Sequence, residues 1–361
     1  MSLIAVRKGL LLLAALTGCS LLFIGSSKAA KIEYVRRTYC NVLLSGPIEK
    51  GDLRRLQSAL ENIPERFSRV PVAGDGIFAN ICLNSRGGDL AEALAIVRFL
   101  AETIRYGTVV DEGHECLDAC AFIFMAGSYF YDHGNVKPSR LLHVRGKLGF
   151  QVPTNNTGAG TYDHVAVQHA YTNASAAISG LIEIDSSRKM GSDRDRVMPR
   201  SLMLEILGRE PEEPLILETI EQALRWNIAL ISDTQLKAIT QRMTLRACAN
   251  DLLERYSIRI TSDSTTDQPI ELLNNRATRV FKNLGPRKDY DCTVQVIRDA
   301  NSRYFVNVNI NQRGIKRYVV PFKVFLRETK RPVSETTRVG NGVCAPIWSL
   351  LPSETKLEAL Q

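Results

Sequence analysis

The chain has 361 residues, 45% of them hydrophobic and 23% charged, a globular balance that excludes a disordered or fibrous protein and leaves room for two domains. The net charge of +8 is unevenly placed: from Leu245 to Gln361 there are 19 Lys and Arg against 12 Asp and Glu, which puts +7 in the last third. That excess reads as a solvated basic surface or, more sharply, as a docking face for an anionic partner such as lipid head groups or cell-wall polymer. No nucleic-acid motif accompanies it, so nucleic acid is set aside.

Arg7 and Lys8 precede an apolar run from Leu10 to Ile24, and Ser27-Lys28-Ala29 forms a small-x-small cleavage site. Residues 1–29 therefore read as an export signal. Two rivals stay open. Leu16-Thr17-Gly18-Cys19 resembles a lipoprotein box that would leave Cys19 lipidated, and the uncleaved run is marginally long enough for a bilayer span of ~20 residues. All three place the remainder outside the cytoplasm, in the periplasm or anchored to a membrane. Seven cysteines follow: Cys40, Cys82, Cys116, Cys120, Cys248, Cys292 and Cys344. An oxidising compartment permits disulfides whose pairing the sequence leaves open, and an odd number leaves one thiol free or intermolecular. Cys116 and Cys120 lack the companion Cys/His pair of a structural zinc site, so neither metal nor cofactor is expected.

Lys31 to Leu44 reads as a strand closing on Ser45-Gly46-Pro47-Ile48. Lys50 to Ile63 reads as an amphipathic helix with Leu53, Leu56, Leu60 and Ile63 on one face. Ile77 to Leu83 is a buried parallel strand that breaks at Asn84-Ser85-Arg86-Gly87-Gly88. Asp89 to Arg105 follows as a helix and Thr108 to Val110 as a strand. A polar entry, Asp111 to Glu115, then gives way to an apolar run from Ala119 to Ala126. Strand–helix alternation predicts an α/β domain with a parallel sheet over residues 31–240. Within it Thr154 to Gly160 reads as a loop, Tyr162 to Ile184 and Thr219 to Ile228 as helices, and Ser186 to Arg196 as a charged connection.

Residues 245–361 change character. A helix over Leu245 to Tyr256 leads into β-rich stretches at Asp291–Arg298, Arg303–Ile310 and Lys316–Leu326, with Asn311 to Gly314 as a hairpin turn. This predicts a smaller, mainly β accessory domain in which Cys292 pairs with Cys344 or with Cys248.

One charge stands where the buried run begins. Asp118 could cap the backbone N–H groups of a buried helix. The same position could instead hold a nucleophile beside its oxyanion-stabilising amides. Gly87 and Gly88, between a buried strand and a helix, suit either a tight turn or half of such an amide cradle.

Taken together, Ile48–Gly51, Leu83-Asn84-Ser85-Arg86-Gly87-Gly88-Asp89 and Glu115 to Gly127 resemble the ClpP/crotonase-like superfamily, in particular its exported bacterial ClpP-like branch. Leu141-Leu142-His143, Lys147 to Pro153, Met198 to Leu202 and Thr219 to Ile228 continue the likeness, which covers about Lys31 to Ile239. The resemblance implies a β-α superhelix domain, oligomeric rings or trimers, and a projecting helix over Tyr162 to Ile184 at the contacts. It also implies a serine nucleophile at position 118 and a histidine base at position 151, where this chain has Asp118 and Gln151. The third, acidic member falls near Glu210, Glu212 or Glu213. The cradle equivalents Gly87, Gly88 and Ala119 are present.

A carboxylate in the nucleophile position would occupy the cradle with its own charge, and Gln takes no proton at neutral pH. The expectation is a catalytically inactive serine-peptidase homologue acting in binding or assembly in the cell envelope, with Asp118 and Gln151 bonded across the old site. Its partner would be a peptide or anionic envelope component, or further copies of itself. The alternative is an active hydrolase using Asp118 or His143 beside Gly87 and Gly88. Ser85 is a further candidate nucleophile, although the resemblance assigns it to the strand-to-loop turn, and His114, His133, His164 and His169 have no partner at triad or ligand spacing.

Overall fold

The chain enters the fold through a hairpin, in which β1 (Lys31–Arg37) runs antiparallel to β2 (Cys40–Ser45). The computed structural model describes residues 29–37, 39–64, 79–130, 136–152, 163–186, 196–210, 213–232, 238–260, 265–298, 304–313, 322–325, 343–345 and 350–360. The single strand expected over Lys31 to Leu44 is thus two. The first half is partly exposed, whereas Cys40 to Leu44 is buried throughout, the pattern of an edge strand beside an interior one.

Helix α1 (Asp52–Glu61) seats Leu56 and Leu60 and returns the chain to β3 (Ala79–Asn84), parallel to β2. Helix α2 (Leu90–Thr103) starts at Asp89, whose side chain accepts the Glu92 N–H at 2.9 Å, an N-cap of ordinary form. It feeds β4 (Arg105–Val110), parallel to β3. Next come β5 (Glu115–Leu117), α3 (Ala119–Met125), β6 (Ser128–Phe130), β7 (Val136–Pro138), β8 (Arg140–His143) and β9 (Lys147–Phe150). Helix α4 (His164–Ser186), α5 (Arg200–Leu207), β10 (Leu215–Ile216), α6 (Ile220–Arg225) and β11 (Ala229–Ile231) complete this part.

The result is a mixed α/β architecture. β2, β3, β4, β8 and β11 pair in parallel in that order, with β1 and the β6–β7 hairpin added antiparallel. A separate three-stranded sheet, β10-β9-β5, carries the chain into and past α3. Every residue of α3 is buried, as its unbroken apolar sequence requires. Phe122, Phe150 and Trp226 stack behind it edge-to-face, with ring centroids 6.5 and 6.2 Å apart.

Helix α7 (Gln241–Tyr256) leads to the second sheet region, β12 (Arg276–Leu284), β13 (Tyr290–Arg298), β14 (Tyr304–Gln312), β15 (Phe322–Phe325) and β16 (Val343–Ala345), hydrogen-bonded in that order. Tyr290, Cys292, Val294 and Val296 alternate inward with Val306, Val308 and Ile310 to form a second core against Ala247, Cys248 and Leu252. The expected turn at Asn311 to Gly314 runs beyond the described residues at Gly314. Of the two pairings left open for Cys292, the structure has Cys248–Cys292, which staples α7 to β13. The last described residues return to the first core, where Leu357 and Leu360 are buried and the Ile220 N–H donates to Thr355 O at 3.1 Å.

The Cys248–Cys292 bridge spans 44 residues. Removing it with Cys248→Ala and Cys292→Ala is expected to cost about 4 kcal/mol by the loop-entropy relation. The midpoint of urea unfolding checks this, and an unchanged midpoint would show that the sheet and α7 are held by apolar packing alone.

Candidate functional site

The two sequence blocks around Gly87-Gly88 and Asp118 meet at one point. β5 is flanked by β9 on one side and by the extension of β3 on the other, where Ser85 bridges Cys116. The Ser85 N–H donates to Glu115 O at 2.7 Å and the Leu117 N–H to Ser85 O at 3.0 Å. β5 therefore delivers Asp118 directly over the glycine pair.

Asp118 is the turn between β5 and α3, with φ 50° and ψ −125°. Few residues other than glycine adopt this conformation, which costs on the order of 1–3 kcal/mol and must be held by its surroundings. Three things hold it here. The Asp118 N–H donates to Gly149 O at 3.0 Å, and Asp118 O accepts the Ala121 N–H at 2.9 Å. A disulfide joins Cys116 to Cys120, bracketing the turn, and both sulfurs' residues are fully buried. The sharp strand-to-helix corner thrusts the side chain outward, the geometry of a nucleophile elbow.

The carboxyl rests on Gly87. A Cβ at Gly87 would come within 2.8 Å of Asp118 Oδ2, so only glycine admits it. Gly88 has φ 140°, and a Cβ there would run into the Ile48 backbone. Ile48 donates to Gly87 O at 2.9 Å and accepts the Asp89 N–H at 2.8 Å, clamping both sides of the glycine pair. This is why Ile48–Gly51 and Gly87-Gly88 function as one unit although distant in sequence.

Asp118 does not cap α3: its side chain makes no capping bond to the helix. The adjacent Ala119 N–H is the backbone group that favours its charged form. Burial raises the carboxyl above its ordinary value, and the Ala119 N–H only partly offsets this. Of the cradle equivalents, Gly87 lies against the carboxyl and the Ala119 N–H acts on its charge. The anticipated bond from Asp118 to Gln151 is not made; the carboxyl is turned onto Gly87 instead. Gln151 follows β9 as Asp118 follows β5, so parallel pairing of Leu117 with Gly149 carries both out of the sheet at the same end.

The other candidates lie elsewhere. His143 sits on β8, and alternation puts it with Leu141, on the face opposite Leu142 and the main core that α3 occupies. Its Nδ1 accepts the Arg145 N–H at 3.1 Å. Ser85 is buried and its hydroxyl braces the glycine turn, accepting from Gly87 N and donating to Gly87 O, each at 3.1 Å. His114 lies buried beside Arg37, with Nε2 2.9 Å from the guanidinium; burial first, then Arg37, holds its pKa down. His164 and His169 are exposed on α4, and His133 and Glu212 lie outside the described residues. Glu210 and Glu213 are exposed between α5 and β10, and neither bonds Asp118.

Cys40, Cys82 and Asp111 bring ligand atoms within 4.8 Å of one another. The two sulfurs are joined as a disulfide and Asp111 accepts from Arg37, so this group presents no thiolate to a cation. Sequence reasoning missed the pairing of Cys116 with Cys120, although the spacing of four residues across Asp118 was visible.

No family model matches the chain, and no curated protein is similar to it. Among solved structures, the ClpP protease catalytic domain from Plasmodium falciparum aligns with 54% of this chain and 85% of its own, at 13% identity and a TM-score of 0.32. At that score the alignment carries no argument about this chain.

Two outcomes follow from the elbow. Because folding raises the Asp118 pKa, its contribution to stability is present in full below the ordinary value of 3.8 and is lost as pH rises through the folded value. Asp118→Asn should therefore gain stability over the native chain as pH climbs, with the two converging at low pH. Parallel curves in urea melts across that range would show the carboxyl is not desolvated. Second, Cys116→Ala with Cys120→Ala should cost about 2 kcal/mol and let the Asp118 pKa drift back toward its ordinary value. Carbon-13 carboxyl titration reads that drift, and a fixed pKa would mean the elbow holds without the bridge.

Proposed function

We propose that this chain is an exported ClpP/crotonase-like protein whose elbow has lost serine-peptidase chemistry and which acts by binding or assembly in the cell envelope. The observation that carries this reading is the buried Asp118 carboxyl lying on Gly87, with its pKa raised by desolvation. An acyl-transfer site needs a nucleophile activated by a base and a free pair of donors for the developing oxyanion. Here an acid stands at the nucleophile position, and Gln151 stands where the base is expected. Among the described residues no histidine is bonded to Asp118. Loss of two triad members leaves residual catalysis at best.

The second reading, a hydrolase built on Asp118, draws on the same buried acid, since a carboxyl raised by burial in a strained turn is also what a general acid looks like. His143 adds nothing to it, facing away from the elbow. A fluorophosphonate probe separates the two readings. The native chain should stay unlabelled, and Asp118→Ser with Gln151→His should gain covalent labelling at position 118. Stoichiometric labelling of the native chain, or ester hydrolysis abolished by Asp118→Asn, would overturn the non-enzymatic reading.

A further inference from the structure

The second sheet carries an edge that is both cationic and open. β12 is hydrogen-bonded to β13 alone among the described strands. Register alternation directs the backbone groups of every second residue of β12 toward β13 and those of the others outward. The outward set begins at Arg276, and here the chain itself supplies a partner. The Arg276 N–H donates to Leu273 O at 3.0 Å and Arg276 O accepts the Leu273 N–H at 2.9 Å, through a turn at Asn274 and Asn275. The next outward rungs, Thr278 and Val280, have no hydrogen-bond partner among the described residues. The chain has started a ladder along this edge and stopped after one rung.

Side chains on the same strand define what would fit. Arg276, Thr278, Val280 and Lys282 share one face, all exposed, and Val280 is 55% exposed. Arg279 lies on the other face, and Arg287 and Lys288 are exposed just beyond the strand. None of these five cations has an ion-pair partner among the described residues. An apolar residue is thus framed two positions away on either side by a hydroxyl and an amine, with a guanidinium next along.

We propose that β12 is the docking edge for an extended acidic peptide, which adds as a sixth strand and bonds the backbone of Thr278 and Val280. Its own pattern would be acidic-x-apolar-x-acidic, with the apolar side chain against Val280 and the acids within reach of Arg276 and Lys282. Backbone bonds supply the affinity and the charges supply the selection. A polyanion without a strand-forming backbone would use the cations and leave the rungs empty. This inference rests on the second sheet and not on the elbow, so the two readings fail separately.

The test uses the full chain and a fluorescein-labelled peptide, Thr-Glu-Thr-Val-Thr-Glu-Thr, followed by anisotropy. Saturable binding is expected, with slowed amide exchange at Thr278 and Val280. Val280→Pro, which removes one outward N–H at an edge position that tolerates proline, should weaken binding about tenfold. Arg276→Glu with Lys282→Glu, which leaves the backbone intact, should weaken it by a similar factor and reduce its salt dependence. Replacing the peptide's Glu by Lys should abolish binding. Absence of saturable binding would overturn the proposal and give the cations the role of keeping foreign strands off an exposed edge. Binding that survives Val280→Pro, or that inorganic polyphosphate abolishes without protecting those amides, would also overturn it, in favour of a polyanion surface. Binding to anionic lipid vesicles with none to the peptide would overturn it in favour of a membrane face.

Discussion

The turn at Asp118 is the constraint on which the surrounding architecture depends. Its left-handed φ is needed to convert β5 into α3 within a single residue, and α3 cannot be anywhere but buried, since it has no polar side chain to offer water. Everything packed around the turn answers that need. β9 accepts its N–H, the extension of β3 lines its other side, and the Cys116–Cys120 bridge ties the strand to the helix across it. The missing Cβ atoms at Gly87 and Gly88 make the space. A conformation costing a few kcal/mol persists because it is over-determined from several directions at once.

The same turn explains why an acid can live there. Ala119 opens α3, so its backbone N–H is one of the donors that a helix start leaves without an intrahelical acceptor. Buried and unpaired, such a group costs about 1–3 kcal/mol. The Asp118 carboxyl lies beside it at the expense of its own hydration, and that burial raises its pKa. The balance is local. Among the described residues no cation acts on the carboxyl, so burial outweighs the Ala119 N–H.

Much of this was legible in the sequence, and what was not has physical reasons. The long periodic segments, α1 and α2, and the buried runs that became β3 and α3 came through because their apolar patterns are set by burial on known faces. The site's location followed from Gly87, Gly88 and Asp118, residue types whose conformational demands are narrow. The sheet β10-β9-β5 left no trace, since strands of two to four residues are too short to show a period. The hairpin within Lys31 to Leu44 was hidden because the alternation runs on through the tight turn and reads as one strand. Disulfide pairing needed coordinates: Cys292 chose between Cys248 and Cys344 by which one faced it across the core, a matter of three dimensions. The role of Asp118 was ambiguous for a deeper reason. Capping and elbow positions share a residue type and differ only in φ, which no single sequence reveals.

That difference in φ also bears on how far the elbow could be turned back toward chemistry. With the strand-helix corner and the glycine pair built from residues that Asp118 does not itself supply, a hydroxyl at 118 would inherit the same corner and relieve the glycine pair of a carboxylate. A base is a harder requirement. Gln151 leaves the sheet at the right end, but an imidazole there needs a further group to fix its tautomer and orientation. The acids expected to serve, Glu210 and Glu213, are exposed, and neither is bonded to Asp118. The scaffold for an oxyanion is therefore closer to complete than the machinery for moving a proton, and it is proton transfer that decides whether such a corner is an enzyme's or a binding protein's.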